Sequence, residues 1–182
     1  EEIMILFLGF IIESKGIKDL IHLAKMVSSG SIQGLKFVLA GKGELEALLL
    51  KEMEDPALAR IMEFRGWVDG TAKVELLSSA AVFFLPSYKE GMPISILEAM
   101  ANSLPIISTN IAGIPDLVEH GRNGYLFRPG DVDGYYHCIV EFLENTEKAA
   151  AMGKESRRKA ENFDADKIFE QLVHILHIII KQ

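Results

Sequence analysis

Two carboxylates, Glu90 and Glu98, flank Pro93 in the stretch 85–101, Leu-Pro-Ser-Tyr-Lys-Glu-Gly-Met-Pro-Ile-Ser-Ile-Leu-Glu-Ala-Met-Ala. The apolar run before it, 80–85, reads as a buried strand stopped at Pro86, and Pro93 suits the first position of a helix whose body is 94–102. Glu90 therefore lies in the loop leaving a strand, able to face a ligand. Glu98 lies in the second turn of the helix, beside Leu97, Met100 and Ala101. A carboxylate against an apolar helix face costs free energy unless something hydrogen-bonds it. Ser95-Ile96-Leu97-Glu98 has the spacing of a capping box, which would make Glu98 structural, but only if the helix starts as late as Ser95. With a start at Pro93, Glu98 is past the last uncapped backbone donor, and a ligand hydroxyl is the better partner. In an open α/β sheet the loop at the carboxyl end of a strand is where ligands sit, and the next helix turns its free N–H groups and positive dipole end toward them.

The elements that must hold these groups alternate strand and helix, which predicts an α/β fold, a Rossmann-like, doubly wound parallel sheet of about six strands with helices on both faces. Strands are expected over 3–10, 35–40, 61–68, 80–85, 105–108 and 125–127, the last at an edge. Helices are expected over 17–28, 44–54, 71–79 (capped by Asp69 or Thr71), 94–102, 133–144, 147–161 and 166–180, with a short helix beginning near Asp116. The helix over 17–28 places Ile17, Leu20, Ile21, Leu23, Ala24 and Val27 on one face. Gly41-Lys42-Gly43 follows the second strand, but Glu46 and Ala47 stand where a dinucleotide fingerprint needs its third glycine, so that signal is weak. Trp67 reads as a core or edge residue, and His120, between turn residues, as part of a surface loop.

At 182 residues, 49% hydrophobic and 25% charged, the chain is long enough for one sizeable core and too ordinary in composition to be disordered. One domain over 1–182 is expected. A formal net charge of -7 and a pI near 5.3 argue against nucleic acid as a partner, and no run of Lys or Arg offers a phosphate-tracking patch. The single cysteine, Cys138, excludes an internal disulfide framework and, with no signal peptide at the start, predicts a cytoplasmic protein. The most apolar segment, 172–180, is far shorter than the roughly 20 residues of a membrane span. No His/Cys/Asp cluster has zinc spacing, and Ser87 has no predicted histidine partner, so neither a metal nor a covalent nucleophile is expected.

Pro86-Ser87, then Glu90-Gly91, seven residues between Glu90 and Glu98, and Glu98-Ala99-Met100-Ala101 together resemble the signature of retaining GT-B-fold glycosyltransferases, most closely family 4 of that class. The resemblance runs over nearly the whole chain and covers one half of such an enzyme, the carboxyl-terminal domain that holds the sugar nucleotide. A chain that opens directly on a core strand fits an excised half whose amino-terminal acceptor domain is absent. The resemblance implies that Glu90 holds hydroxyls of the donor sugar and Glu98 those of the ribose. It puts Lys15 and the amides around Gly91 and Met92 on the diphosphate, Gly41 and Gly43 at the nucleotide, backbone near Val68 at the base, and Gly113 near the phosphates or the transferred sugar. Leaving-group departure would then be stabilised electrostatically by Lys15 and the helix dipole without a divalent ion.

Three positions depart from the family pattern. Phe10 replaces an Arg that usually follows the strand-end glycine, removing a bidentate partner for phosphate. Asp116 replaces a Glu after Gly113-Ile114-Pro115. Ser103 stands where Gly is common, a change that is harmless only if the backbone there is not left-handed. The resemblance also implies retention of configuration, a role in polysaccharide or glycolipid assembly, a final helix crossing back to the missing domain, and peripheral membrane association through that domain. Two rivals share the nucleotide-sugar site: a binding module without turnover, favoured by Phe10, and a sugar-nucleotide epimerase. A dinucleotide-dependent oxidoreductase is a third, disfavoured by the glycine pattern.

Overall fold

Six strands, the central ones mostly apolar, form one parallel sheet. The computed structural model describes residues 2–30, 32–164, 166–170, 173 and 177. Strands β1 (Ile3–Leu8), β2 (Leu35–Ala40), β3 (Met62–Phe64), β4 (Val82–Leu85), β5 (Ile106–Thr109) and β6 (Gly124–Phe127) lie in the order β3-β2-β1-β4-β5-β6. The register runs from Ile3 opposite Leu35 to Leu8 opposite Ala40, while β1 meets β4 only through Ile5–Val82 and Leu6–Phe83. The central strands carry apolar residues at consecutive positions because both faces of the sheet are covered. Phe7, Val38, Phe83, Phe84 and Ile107 are all buried, each contributing about 1.5–3 kcal/mol of transfer free energy.

Helices α1 (Ile17–Ser29), α2 (Glu46–Glu52), α3 (Pro56–Ile61) and α7 (Val132–Glu144) pack together on one side; α5 (Ile94–Ala101) and α8 (Thr146–Ala160) pack on each other, with α4 (Gly70–Ser79) leading into β4 and the single-turn α6 (Ile114–Leu117) joining β5 to β6. All six apolar positions expected on the face of α1 are buried. This is the doubly wound, Rossmann-like sheet expected from the alternation of elements.

The differences from expectation are local. The third strand is three residues long rather than spanning 61–68: α3 takes Ile61, with Asp55 accepting from Ala57 N at 2.8 Å and Pro56 in the first helical position, and the strand ends at Phe64, two residues before Gly66 turns the chain at φ 64°. Asp-Pro before an apolar pair was a readable helix start, masked by the apolar run that follows. β1 leaves the sheet at Leu8 rather than at Phe10. Helix α5 begins at Ile94 with Pro93 as its cap residue, so Ser95 is inside the helix and the capping box is not formed. Of the final helix expected over 166–180, residues 166–170 are helical and exposed, and the remainder lies largely outside the described residues.

The chain order reverses between β1 and β4, and there the loops after the two strands diverge into a crevice. Their far ends are tied: Tyr88 N donates to Ser14 O at 2.8 Å, and Gly16, at φ 73°, lies so close to the Pro86 carbonyl that a Cβ would overlap it. Thr109 donates its hydroxyl to Ser87 O at 2.6 Å and Ser108 to Leu85 O at 2.7 Å, so β5 fixes the turn that follows β4.

Candidate functional site

The loops after β1, β2 and β3 are laced by their backbones: Gly9 N donates to Ala40 O (3.1 Å), Ile11 N to Lys42 O (2.9 Å), Leu45 N to Ile11 O (2.9 Å) and Gly41 N to Gly66 O (2.7 Å). The nesting requires glycine. A Cβ at Gly41 would overlap Gly9 O, and one at Gly43 would overlap Ile11 O. The resulting cleft, about 420 Å³, is lined on one side by Phe10, Gly41, Trp67 and Val68 and on the other by Lys73, Ile94 and Glu98.

Of the residues singled out from sequence, Gly41, Val68 and Glu98 meet in this cleft. Glu98 Oε1 accepts from Lys73 Nζ at 2.5 Å, with each side chain about one-third exposed. Lys15 and Glu90, 75 residues apart, meet at the other end of the crevice: Glu90 Oε1 accepts from Lys15 Nζ at 2.5 Å and from the buried Ser87 hydroxyl at 2.6 Å. Their side chains are 19% and 5% exposed, so the ion pair is substantially withdrawn from water. Among the described residues both donors fall on Oε1 and none on Oε2. Gly91 has open space where a Cβ would be, and its carbonyl accepts from Gly113 N at 3.0 Å, bringing the Gly113 turn against Gly91 and Met92 at the start of α5. Gly43 is committed to its own turn, its N–H donating to Glu46 Oε1 at 2.6 Å.

Sequence reasoning missed Trp67 and Lys73. Trp67 is not a core residue: it is 56% exposed, its ring centroid 6.3 Å from that of Phe10 and 4.8 Å from Lys42 Nζ. Its position after Gly66, in a loop leaving a strand end, was the only available signal. Lys73 carried none, since its partner is 25 residues away. His120 is a turn residue, its Nδ1 accepting from Leu126 N at 3.1 Å. Among the described residues no group of three or more His, Cys, Asp or Glu could hold a metal ion, and no helix is long and apolar enough to cross a membrane.

A parallel sheet in 3-2-1-4-5-6 order, with its glycine-nested loops around the strand ends, defines a Rossmann-like α/β domain, and its structural neighbours are GT-B-fold glycosyltransferases. The chain belongs to the glycosyl transferases group 1 family, whose model matches residues 1–159. It is 31% identical over 147 residues to N-acetyl-alpha-D-glucosaminyl L-malate synthase of Bacillus anthracis, covering 80% of this chain and 38% of that protein. It is 27% identical over 175 residues to the putative colanic acid biosynthesis glycosyltransferase WcaL of Salmonella typhimurium, covering 92% of this chain and 43% of that one. HepE of Anabaena in complex with UDP superposes with a TM-score of 0.85 at 22% identity over 97% of this chain and 49% of its own. TarM of S. aureus, in a complex that includes UDP, does so with a TM-score of 0.84 at 24% identity over 95% of this chain and 35% of its own. The chain thus spans less than half the length of these relatives.

Proposed function

We propose that this chain is the donor-binding half of a retaining glycosyltransferase that moves a sugar from a nucleoside diphosphate sugar to an acceptor in polysaccharide or glycolipid assembly. The observation that carries the reading is the placement of two carboxylates at opposite ends of one crevice, Glu98 with Lys73 and Glu90 with Lys15, on either side of the start of α5. The complexes of HepE and TarM with UDP, and the span of under half of each relative, support it.

In this reading the base lies against backbone near Val68 and Gly41 between the Trp67 loop and Phe10. The ribose hydroxyls donate to Glu98, and the diphosphate lies toward Lys15 and the amides of Gly91 and Met92, where eight-residue α5 presents its positive dipole end. The donor sugar lies beyond, with hydroxyls on the remaining oxygen of Glu90 and with Gly113 beside it. Departure of the nucleoside diphosphate draws on Lys15 and the helix dipole, with no metal. The acceptor, and any group acting on it, belong to an amino-terminal half, through which the enzyme would meet the cytoplasmic membrane surface. Two observations favour a second reading, binding without transfer: Phe10 offers no charge to the diphosphate, and Lys15 is already paired with Glu90.

The test is thermal unfolding of the chain with UDP, GDP, ADP, their common sugar conjugates and NAD, beside Glu98→Ala. A ligand at a hundred times its dissociation constant adds about 2.7 kcal/mol to stability. One nucleoside diphosphate series should raise the melting temperature, and Glu98→Ala, still folded, should weaken that ligand by about 10- to 100-fold through loss of charge-assisted hydrogen bonds. A response to NAD alone overturns the reading. Sugar transfer by the full-length enzyme separates the first reading from the second.

A further inference from the structure

We propose that Lys73 is a positioning residue for ribose recognition: it holds the Glu98 carboxylate, before any ligand arrives, in the orientation that accepts a vicinal diol. The inference rests on the nucleotide-sugar reading of the cleft and adds to it a residue that no motif marks.

Lys73 projects from α4 and Glu98 from α5, and both line the cleft beside Gly41 and Val68. Lys73 Nζ lies 2.5 Å from Glu98 Oε1. Among the described residues Glu98 Oε1 takes no other side-chain donor, and Oε2 takes none. A glutamate this far into a helix has no backbone N–H within reach, and its side chain is rich in rotamers that cost entropy to restrict. The ion pair restricts them in the unliganded protein, so the ordering cost does not fall on ligand binding. The ammonium engages Oε1 alone. It leaves Oε2, and a further lone pair on Oε1, for the two hydroxyl donors of a ribose.

The alternative physical outcome is opposite in sign. If Lys73 instead masked Glu98, its removal would tighten nucleotide binding. The experiment is calorimetric titration of the whole 182-residue chain with UDP and with its 2′,3′-dideoxy analogue, in wild type, Lys73→Met, Lys73→Arg and Glu98→Gln. Wild type should prefer UDP over the analogue by about tenfold or more, as expected for hydrogen bonds to a charged group. Lys73→Met should lose most of that preference by weakening UDP while leaving the analogue's affinity unchanged, Glu98→Gln should do likewise, and Lys73→Arg should recover much of it. Unchanged or tighter UDP binding in Lys73→Met overturns the proposal. So does an equal loss for UDP and the analogue, which would mark a structural or phosphate-contacting lysine. If wild type discriminates and Lys73→Met unfolds, loss of discrimination in Glu98→Gln with full retention in Lys73→Arg supports the proposal, and loss in Lys73→Arg as well overturns it. Absence of UDP binding in wild type, with GDP and ADP also silent, is a separate result that removes the nucleotide reading and this inference with it.

Discussion

Glu90 is 5% exposed at its side chain and carries both of its donors, Lys15 and Ser87, on one oxygen, so among the described residues the cation paired with it is Lys15. Removing one partner of a largely buried pair leaves the other uncompensated. Because Lys15 keeps some solvent contact, Lys15→Met should cost about 1–3 kcal/mol in a urea denaturation midpoint, less than for a fully buried pair. Adding Glu90→Gln should restore a part of it; a midpoint equal to wild type in Lys15→Met alone would mean that the pair is not formed in solution. Tyr88 makes a second residue-scale prediction. Partial burial first, and then donation to Asp19 Oδ2 at 2.8 Å, push its phenol up from 10.0 to about 12. The contribution is fully present below the unfolded value. Between pH 10 and about 12 the unfolded chain loses the proton that the folded chain keeps, so stability falls as pH rises through that window. Denaturation midpoints across this range should drop more steeply for wild type than for Tyr88→Phe.

At the scale of elements, the end of α5 shows how a departure from the family pattern is accommodated. Ser103 N donates to Met100 O at 3.0 Å and Leu104 N to Ala99 O at 3.1 Å, the paired bonds of a Schellman motif, and Ser103 itself sits at φ 61°. The condition under which serine would be harmless there, a backbone that is not left-handed, is therefore not met. Gly153 of α8 approaches the Ser103 carbonyl so closely that a Cβ would overlap it, so the glycine lets α8 pack against the turn. Ser103→Gly should stabilise the chain by about 0.5–1 kcal/mol, the relief of a left-handed residue less the added freedom of the unfolded state, read as a higher thermal midpoint with nucleotide affinity unchanged. Destabilisation would show that the serine side chain contributes more than the backbone strain costs.

Across the whole molecule, β1 lies between β2 and β4 with its last four residues buried, whereas β3 and β6 are edges with partly exposed positions. Amide exchange in the native state should be slowest in β1, β2 and β4, approaching the global unfolding free energy, and faster in β3 and β6, which open locally. Rates in β3 as slow as those in β1 would contradict a sheet whose outer strands are its weakest members. The crevice sits at the carboxyl ends of the central strands β1 and β4, so its loops rest on the buried middle of the sheet.

What the sequence determined by itself is what depends on local pattern. Consecutive apolar residues at 37–40 and 80–85 and the helical spacing at 17–28 mark burial on two faces or on one. The family signature from Pro86 to Ala101 places Glu90 and Glu98 around a helix start. Local competition accounts for the misses at β3, where α3 takes Ile61 and the left-handed Gly66 follows the strand's end at Phe64, and at Trp67, whose bulk and polarity suit a core or a cleft wall equally well. Only the tertiary structure decided that Lys15 reaches Glu90 across 75 residues and Lys73 reaches Glu98 across 25. It alone decided that Gly41 and Gly43 exist to let neighbouring loops nest. The reason is physical: ion pairs and backbone clearances depend on which loops the sheet order makes neighbours, and strand order is set by long-range packing that no local spacing encodes.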